Sequence, residues 1–484
     1  MIYLLIPFAA ALFALFPLTD TDIWWHLACG REWVVTWTPM REGLLNIHAY
    51  FQQFVFAIYS LGGAPLLVLI KCVLWFFVFF LFVLPSTKRK NHLLPITLFV
   101  LLLFVCRFLL EMRPVVISMI CLGVIWKIVP RMNNRRSFFV GGIVLLLMQW
   151  FWCRFQGLFV LGPILCAIIF FTNFKKVQHV RAKLLLCLAM LLVPLLHEGG
   201  LAFLRYPLEL FDRLVGLSSE SEIFSSAIAE NRSPLTLLLK GENLINSLLM
   251  IVCCVESVVL GIYTALRKKS EDLYKIVWLV IMAMLALVGE RNFVLMLPVF
   301  CSVHLNILER VDMSKWNRLL KAICLILIFA IAGLWCKSLQ QYDATMVSFQ
   351  RVPVDAVEWM KKNPHKGRLF NDDRAGGYLA FMNPSDSIYM DGRFIQKTSS
   401  FFKRYLQYAE SPEMFLADAD SMNVDRVILP LRYYARWQKL IVALQTQSDW
   451  SQVYLDDFYC IYDRSAAYQK KDIQNTFEFI KVRL

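Results

Sequence analysis

Charge is what this sequence is shortest of. Only 18% of its 484 residues are Asp, Glu, Lys or Arg, while 58% are hydrophobic. With a positive mean hydropathy, that composition excludes an ordinary soluble protein and places the chain among polytopic membrane proteins. No GxxxxGK[ST] loop occurs, so a P-loop nucleotide site is not expected. An HExxH pair, a nucleophile elbow and a Ser/His/Asp signature are also missing, which removes the common hydrolase classes. The 13 cysteines include no CxxC pair and no zinc-type Cys/His spacing, so no structural metal site is expected. Most of them, Cys72, Cys106, Cys121, Cys166, Cys187, Cys253, Cys254 and Cys324 among them, fall in apolar runs, where a thiol packs as a small hydrophobe. The N-terminus lacks the basic region of a cleavable signal, so Ile2 to Leu18 reads as a retained membrane helix.

The charge that is present is unevenly placed. The formal net charge is +14, yet from Gln340 onward 19 basic residues meet 18 acidic ones, so the excess lies in the first part. Apolar segments are expected to cross the membrane at 2–18, 64–84, 93–110, 115–129, 138–150, 158–171, 184–196, 244–266, 273–288, 293–308 and 319–335, eleven crossings in all. Several are short, as tilted or protein-buried pieces are. The basic clusters, Lys88-Arg89-Lys90, Arg131 with Arg135 and Arg136, Lys175-Lys176 with Arg181 and Lys183, Arg267-Lys268-Lys269, and Arg310 with Lys315 and Arg318, all fall after alternate spans. Such a pattern sets membrane orientation and does not read phosphate backbones, so no nucleic-acid partner is expected. It puts the N-terminus in the cytoplasm and the residues after the first span outside.

Those residues are Thr19-Asp20-Thr21-Asp22-Ile23-Trp24-Trp25-His26-Leu27. Carboxylates are costly within a bilayer and tend to be kept there for a task, so a pair where a membrane helix should emerge is a candidate for chemistry. If a helix starts near Asp22, then Asp22 and His26 share a face at i and i+4, and Trp25, Cys29 and Trp33 line a neighbouring one. This arrangement supplies an acid, a base and an aromatic wall. The purely structural alternative is that Thr21 or Asp22 caps the helix and that Trp24 and Trp25 belong to the interfacial aromatic belt. The rest of the segment to about residue 60 reads as an interfacial loop with one or two amphipathic helices. The same outer side collects Arg107, Glu111 and Arg113; Trp152, Arg154 and Gln156; His197 and Glu198; Glu230, Asn231 and Arg232; and Glu290, Arg291 and Asn292. Charges at so many helix ends on one side suggest a water-filled cavity, although Pro114 and Ser233-Pro234 also have plain helix-boundary roles.

Beyond Gln340, strand-length apolar runs at 368–371, 387–390, 424–429, 452–455 and 458–462 alternate with helical patterns at 354–362, 400–408, 412–419 and 433–444. The expectation is a small α/β domain with a mainly parallel sheet and a closing hairpin turned at Asp456-Asp457. Gly376-Gly377 reads as turn chemistry, and Asp391 and Arg393 stand at the end of an expected strand, where α/β sheets place ligands.

The residues Asp20-Thr21-Asp22, Trp24-Trp25-His26-Leu27 and Gly30 resemble the D-P-D-x-W-W-H-L-x-x-G first-loop signature of a large group of bacterial multi-pass proteins similar to the GT-C glycosyltransferase superfamily, with Thr21 in place of the usual Pro. The likeness continues through Arg113-Pro114, Trp152 with Gly157, Glu230 with Ser233-Pro234, Arg291-Asn292, Gly376-Gly377-Tyr378-Leu379 and Asp391-Gly392-Arg393, nearly the whole chain. One departure is that W-x-N-x-H-G of such proteins is here Trp152-Cys153-Arg154-Phe155-Gln156-Gly157. The resemblance implies a GT-C-like transmembrane domain over 1–339 with an outer catalytic loop at 19–63, an extracytoplasmic α/β domain at 340–465 and a tail at 466–484, in a bacterial inner membrane. It also implies a polyprenyl-phosphate or polyprenyl-diphosphate sugar donor, and acidic first-loop residues that act on the acceptor or hold a divalent metal, here Asp20 and Asp22.

The expected activity is therefore an inverting glycosyl transfer from a lipid-linked donor to an acceptor whose identity the sequence does not give. Asp22 with His26 would serve as base and orienting partner, and Asp20 would hold the acceptor or metal. Arg107, Arg113, Arg154 or Arg291, with Glu230 in the same cavity, would offset charge on the departing phosphate. A transporter or lipid flippase, and a non-catalytic envelope assembly factor, are the alternatives.

Overall fold

A computed structural model describes residues 2–34, 36–41, 45–84, 93–172, 179–267, 273–308, 318–432 and 435–464. The basic clusters at Lys88-Arg89-Lys90, Lys175-Lys176, Lys268-Lys269, Arg310 and Lys315, and the tail at 466–484, lie outside the described residues. The chain forms two compact units. One comprises 1–17, 45–51 and 64–346; the other comprises 18–44, 52–63 and 347–484. Most of the acidic first-loop segment thus belongs to the same unit as the C-terminal domain.

The first unit is helical. Each of the eleven expected spans falls on a helix, but among the described residues only four helices are long and apolar enough to cross a membrane by themselves: Ala49–Val83, Leu244–Leu266, Glu290–Leu308 and Arg318–Leu339. A fifth arises if Val180–Leu196 and Leu201–Val215, bent by 104° at a short break, count as one span. The break is made by Gly199 and Gly200, both at positive φ, a conformation that costs glycine nothing. Helix Ala49–Val83 begins well before the expected Ala64 and is interrupted at Gly62 and Gly63. The polar stretch after His197 holds helix Leu201–Val215, whose Leu201, Leu208 and Phe211 are exposed, and the short helices Glu222–Ala227 and Pro234–Leu239. Ser233 caps the last with its side chain, with Pro234 at N1, as the sequence predicts.

The second unit is built on a four-stranded sheet of β1 (Arg368–Asn371), β2 (Val424–Pro430), β3 (Trp450–Leu455) and β4 (Tyr459–Arg464), in the order β1-β2-β4-β3. Only β1 and β2 are parallel. Both pairs that involve β4 are antiparallel, so the expectation of a mainly parallel sheet is corrected. The hairpin turns where expected: the Asp456 carboxylate accepts the Phe458 and Tyr459 amides at 2.7 Å each. It then inserts β4 beside β2, where Arg426, 2% exposed, pairs bidentately with Asp463 directly across at 2.7 Å. Phe370 at the centre packs on Tyr389 and Phe415, with ring centroids 4.6 Å away in both cases.

Two further expectations change. Residues 387–390 are not a strand. Their backbone groups pair with side chains and with a distant segment: Asn371 accepts the Tyr389 amide and donates to the Met390 carbonyl, and the Trp37 amide donates to the Ile388 carbonyl. Gly376-Gly377 is not a turn but lies within helix Asp373–Met382. The expected helix at 433–444 is observed as Ala435–Trp437 continuing into Gln438–Thr446, with residues 433 and 434 outside the described set.

Asp372 caps helix Asp373–Met382 by accepting the Ala375 amide at 3.0 Å. The residue is fully buried, and its second carboxylate oxygen has no hydrogen-bond partner among the described residues. Burial, and then the charge of Asp373, push its carboxyl up to about 7. The folded form therefore holds a proton that the unfolded chain releases, so this stabilisation is complete below the ordinary carboxylate range and is lost as pH rises through about 7. Asp372→Asn keeps the capping oxygen and removes the titration. In thermal unfolding between about pH 5 and about pH 8, the parent should lose more Tm than the variant; equal slopes would show that Asp372 is not the linked group.

Candidate functional site

Helix Asp22–Arg31 begins where the acidic motif predicts. The Asp20 carboxylate accepts the Asp22 amide at 3.3 Å, whereas Thr21 makes no side-chain cap, so capping falls to Asp20. The interfacial-belt alternative is corrected for Trp24. That ring is fully buried, edge-on to Tyr378 at 4.7 Å and close to Tyr59 and Phe381. Trp25, Asp20 and His26 are also buried, and the His26 ring lies 3.5 Å from that of Trp25.

The helix sits against Asp373–Met382, and Gly377 is the reason they approach so closely. A Cβ on Gly377 would stand 2.7 Å from the Trp25 backbone nitrogen, and one on Gly376 would run into the Met390 carbonyl. At the far end Arg31 donates to the Ala380 and Phe381 carbonyls at 3.1 and 2.9 Å, satisfying groups that a helix terminus leaves open. Lys397 ties down the segment that follows. It is buried, donates to the Thr36 and Thr38 hydroxyls and reaches the Thr38 and Pro39 carbonyls; burial pushes its ammonium down to about 8.

Asp391, Gly392 and Arg393 complete this arrangement. Arg393 and Asp391 are buried and joined by a forked ion pair, with Nη2 to Oδ2 at 2.6 Å and Nε to the two oxygens at 3.0 and 2.9 Å. The guanidinium faces the Trp25 and Trp33 rings at 5.8 and 5.3 Å and reaches Cys29 Sγ at 3.5 Å. The aromatic wall expected beside the acidic motif is thus the seat of Arg393. Asp22, half-buried, lies against Gly392, where any Cβ would collide with its Oδ1. Asp22, His26, Asp391 and Arg393 therefore form one constellation, a juxtaposition that sequence reasoning had not made.

In the first unit the expected cavity residues have structural partners. Arg113 and Glu230 form a bidentate pair at 2.7 and 2.9 Å. Arg107 donates to the Phe104 carbonyl at 2.7 Å and lies over the Phe104 and Trp335 rings. Arg154 is placed between Tyr50 and Phe203, at 5.5 Å from each ring. Gln156 ends a chain in which Trp152 Nε1 donates to Ser118 Oγ at 2.7 Å and Ser118 donates to Gln156. Arg291 follows Glu290, whose amide donates to the Arg232 carbonyl at 3.0 Å. Two polar features inside spans escaped the sequence reading. Lys71, fully buried, donates to the Phe16 carbonyl at 3.0 Å, and Glu256 meets His304 Nε2 at 2.8 Å. A lone charge inside each apolar run was the available signal.

A divalent metal would need more ligands than the motif offers. Among the described residues no three His, Cys, Asp or Glu side chains converge to hold an ion, so Asp20 and Asp22 do not by themselves make a metal centre.

Neither protein-family models nor curated proteins match the sequence. Solved structures do match by fold. The Archaeoglobus fulgidus oligosaccharyltransferase aligns in its apo form with a TM-score of 0.54 and 13% identity, over 97% of this chain and 75% of that one. Its complex with zinc and sulfate aligns with a TM-score of 0.55 and 12% identity, over 96% and 73%. The archaeal oligosaccharyltransferase AglB of the same organism, in complex with an inhibitory peptide and a dolichol-phosphate, aligns with a TM-score of 0.50 and 12% identity, over 96% and 74%. The likeness is one of fold. The chain is a mostly helical membrane protein whose fold resembles that of the archaeal oligosaccharyltransferase, with at least four long apolar helices among the described residues and a small C-terminal sheet.

The glycine contact makes a direct prediction. Gly377→Ala should destabilise the protein by about 1–3 kcal/mol through overpacking. Gly333→Ala, in helix Arg318–Leu339 where a Cβ meets nothing within 4 Å, should change stability by less than about 1 kcal/mol. Thermal unfolding of the detergent-solubilised protein measures both, and equal effects would remove the packing explanation.

Proposed function

We propose that the protein is a membrane glycosyltransferase that moves a sugar from a polyprenyl-phosphate-type donor to an acceptor at the outer face of the membrane. The observation that carries this reading is Asp22: a half-buried carboxylate in the first turn of a helix, held beside His26 and the Asp391–Arg393 pair, in a chain whose fold resembles an oligosaccharyltransferase. A helix N-terminus favours an anionic group, and an anionic carboxylate is what a general base must be before it accepts a proton. The neighbour bound to a dolichol-phosphate and a peptide supports a lipid-linked donor, and the absence of a P-loop motif in the sequence accords with it.

In this mechanism Asp22 removes the proton of the acceptor hydroxyl while its oxygen attacks the anomeric carbon from the face opposite the phosphate. The bond from that carbon to the phosphate oxygen breaks, the electron pair leaves with the phosphate, and the configuration inverts. His26, one turn along the same helix, positions Asp22, and Asp20 fixes the turn through the Asp22 amide. Asp391 and Arg393 hold the wall behind it. The neighbour that contains zinc is compatible with a divalent metal, to which Asp20 and Asp22 would supply two of the ligands it needs; no step here depends on it. The basic clusters orient the chain with its N-terminus in the cytoplasm and its C-terminal domain outside, where that domain could cover the site or present the acceptor.

Reconstituted protein offered a panel of lipid-linked sugars should release the lipid phosphate and transfer the sugar. Asp22→Asn should lower turnover by at least about a hundredfold, the scale of a general base, with unfolding behaviour unchanged. Full turnover by that variant would remove Asp22 from the mechanism.

A further inference from the structure

In the first unit, a cavity of about 240 Å³ opens where four helices end. Lys127 and Arg131 come from the end of Val115–Ile128 and the turn after it, Lys275 from the start of Leu273–Val288, and Ser302 and Asn306 from the last turns of Phe293–Leu308. Three cationic side chains and two neutral hydrogen-bonding ones therefore face one space, and among the described residues no carboxylate lines it. The wall is aromatic and fixed. Trp126 packs on Phe82 at 5.6 Å and on Tyr274 at 5.5 Å, and Ser302 is oriented by donating to the Phe82 carbonyl at 2.7 Å. Lys127 donates to the Leu84 carbonyl and Arg131 to the Lys127 carbonyl, which holds both stems at the rim.

Positive residues at the cytoplasmic ends of membrane helices ordinarily serve orientation and need no cavity. Here they converge on a preformed one many times the volume of a water molecule, about 30 Å³. Lys and Arg together with the Asn306 amide suit a phosphate, and an aromatic and aliphatic wall suits the first carbons attached to it.

We propose that this cavity binds a phosphate-bearing anion, supplied as the head group of an anionic membrane phospholipid. The site is separate from the acidic constellation, uses none of its residues, and does not depend on the glycosyltransferase reading. Its role would be to anchor the ends of four helices, two of them basic, to one membrane leaflet.

The test uses the full-length protein in nanodiscs of phosphatidylcholine mixed with phosphatidylglycerol, followed by gentle extraction and native mass spectrometry. The parent should retain phosphatidylglycerol selectively, and the triple variant Lys127→Gln, Arg131→Gln, Lys275→Gln should lose that selectivity by roughly a hundredfold, at about fivefold per cationic side chain near a membrane surface. Single variants, each expected to lose part of it, provide the measurement if the triple variant fails to fold. An excess of inorganic phosphate should leave lipid retention unchanged. Displacement of the lipid by phosphate would overturn the lipid source and assign the anion to solution. Undiminished selectivity in the folded triple variant, or none in the parent, would overturn the site.

Discussion

The arrangement depends on one close approach. Helix Asp22–Arg31 and helix Asp373–Met382 touch backbone to backbone because Gly377 presents no side chain, while Gly376 admits the Met390 carbonyl beside the same helix. Everything of chemical interest in the second unit is referred to that contact. It brings Trp24 among Tyr59, Tyr378 and Phe381, lets Arg31 finish the neighbouring helix, and brings the Asp391-Gly392-Arg393 segment against Asp22 and the faces of Trp25 and Trp33. A buried Arg–Asp pair is a poor source of net stability, because desolvation offsets much of the attraction. Its value here is geometric: a forked ion pair held between two indoles defines one orientation of the wall behind Asp22.

The same contact explains what was legible in the sequence and what was not. The start of the first-loop helix at Asp22 could be read, because an acid in the first turn and an aromatic, apolar run after it are local signals. The two glycines could not. The reason for Gly377 lies some 350 residues away in Trp25 and that for Gly376 in the Met390 carbonyl, and a glycine pair without its partners looks like a turn. Residues 387–390 have the composition of a strand, yet their hydrogen bonds go to Asn371 and to the segment at 36–38, which no periodicity announces. The sheet was misjudged for a related reason. Alternating strands and helices suggest parallel pairing, but the β3–β4 hairpin inserts β4 next to β2 and makes two of the three pairings antiparallel. The expected apolar runs do lie on helices, apart from the early start of Ala49–Val83, since an apolar run of helix length needs no partner to be recognised.

In the first unit the cationic residues singled out by position turn out to be individually engaged: Arg113 by Glu230, Arg107 and Arg154 by aromatic rings. Engagement of this kind sets side-chain direction at little cost, because a guanidinium over a ring keeps its remaining donors available. The Trp152, Ser118 and Gln156 chain shows how the departure from the family pattern at this position is absorbed: Gln156 accepts a hydrogen bond within the helical core.

The central claim is that Gly392 exists to let Asp22 take its working position. A mutant cycle on sugar transfer by the reconstituted protein tests it, with Gly392→Ala, Asp22→Asn and the double variant compared at equal folded fraction. If the added methyl acts by displacing the Asp22 carboxylate, Gly392→Ala should lower the rate nearly as far as Asp22→Asn, and the double variant should be no slower than Asp22→Asn alone, the non-additivity expected of groups in contact. A parent-like rate for Gly392→Ala, or losses that multiply in the double variant, would contradict the account.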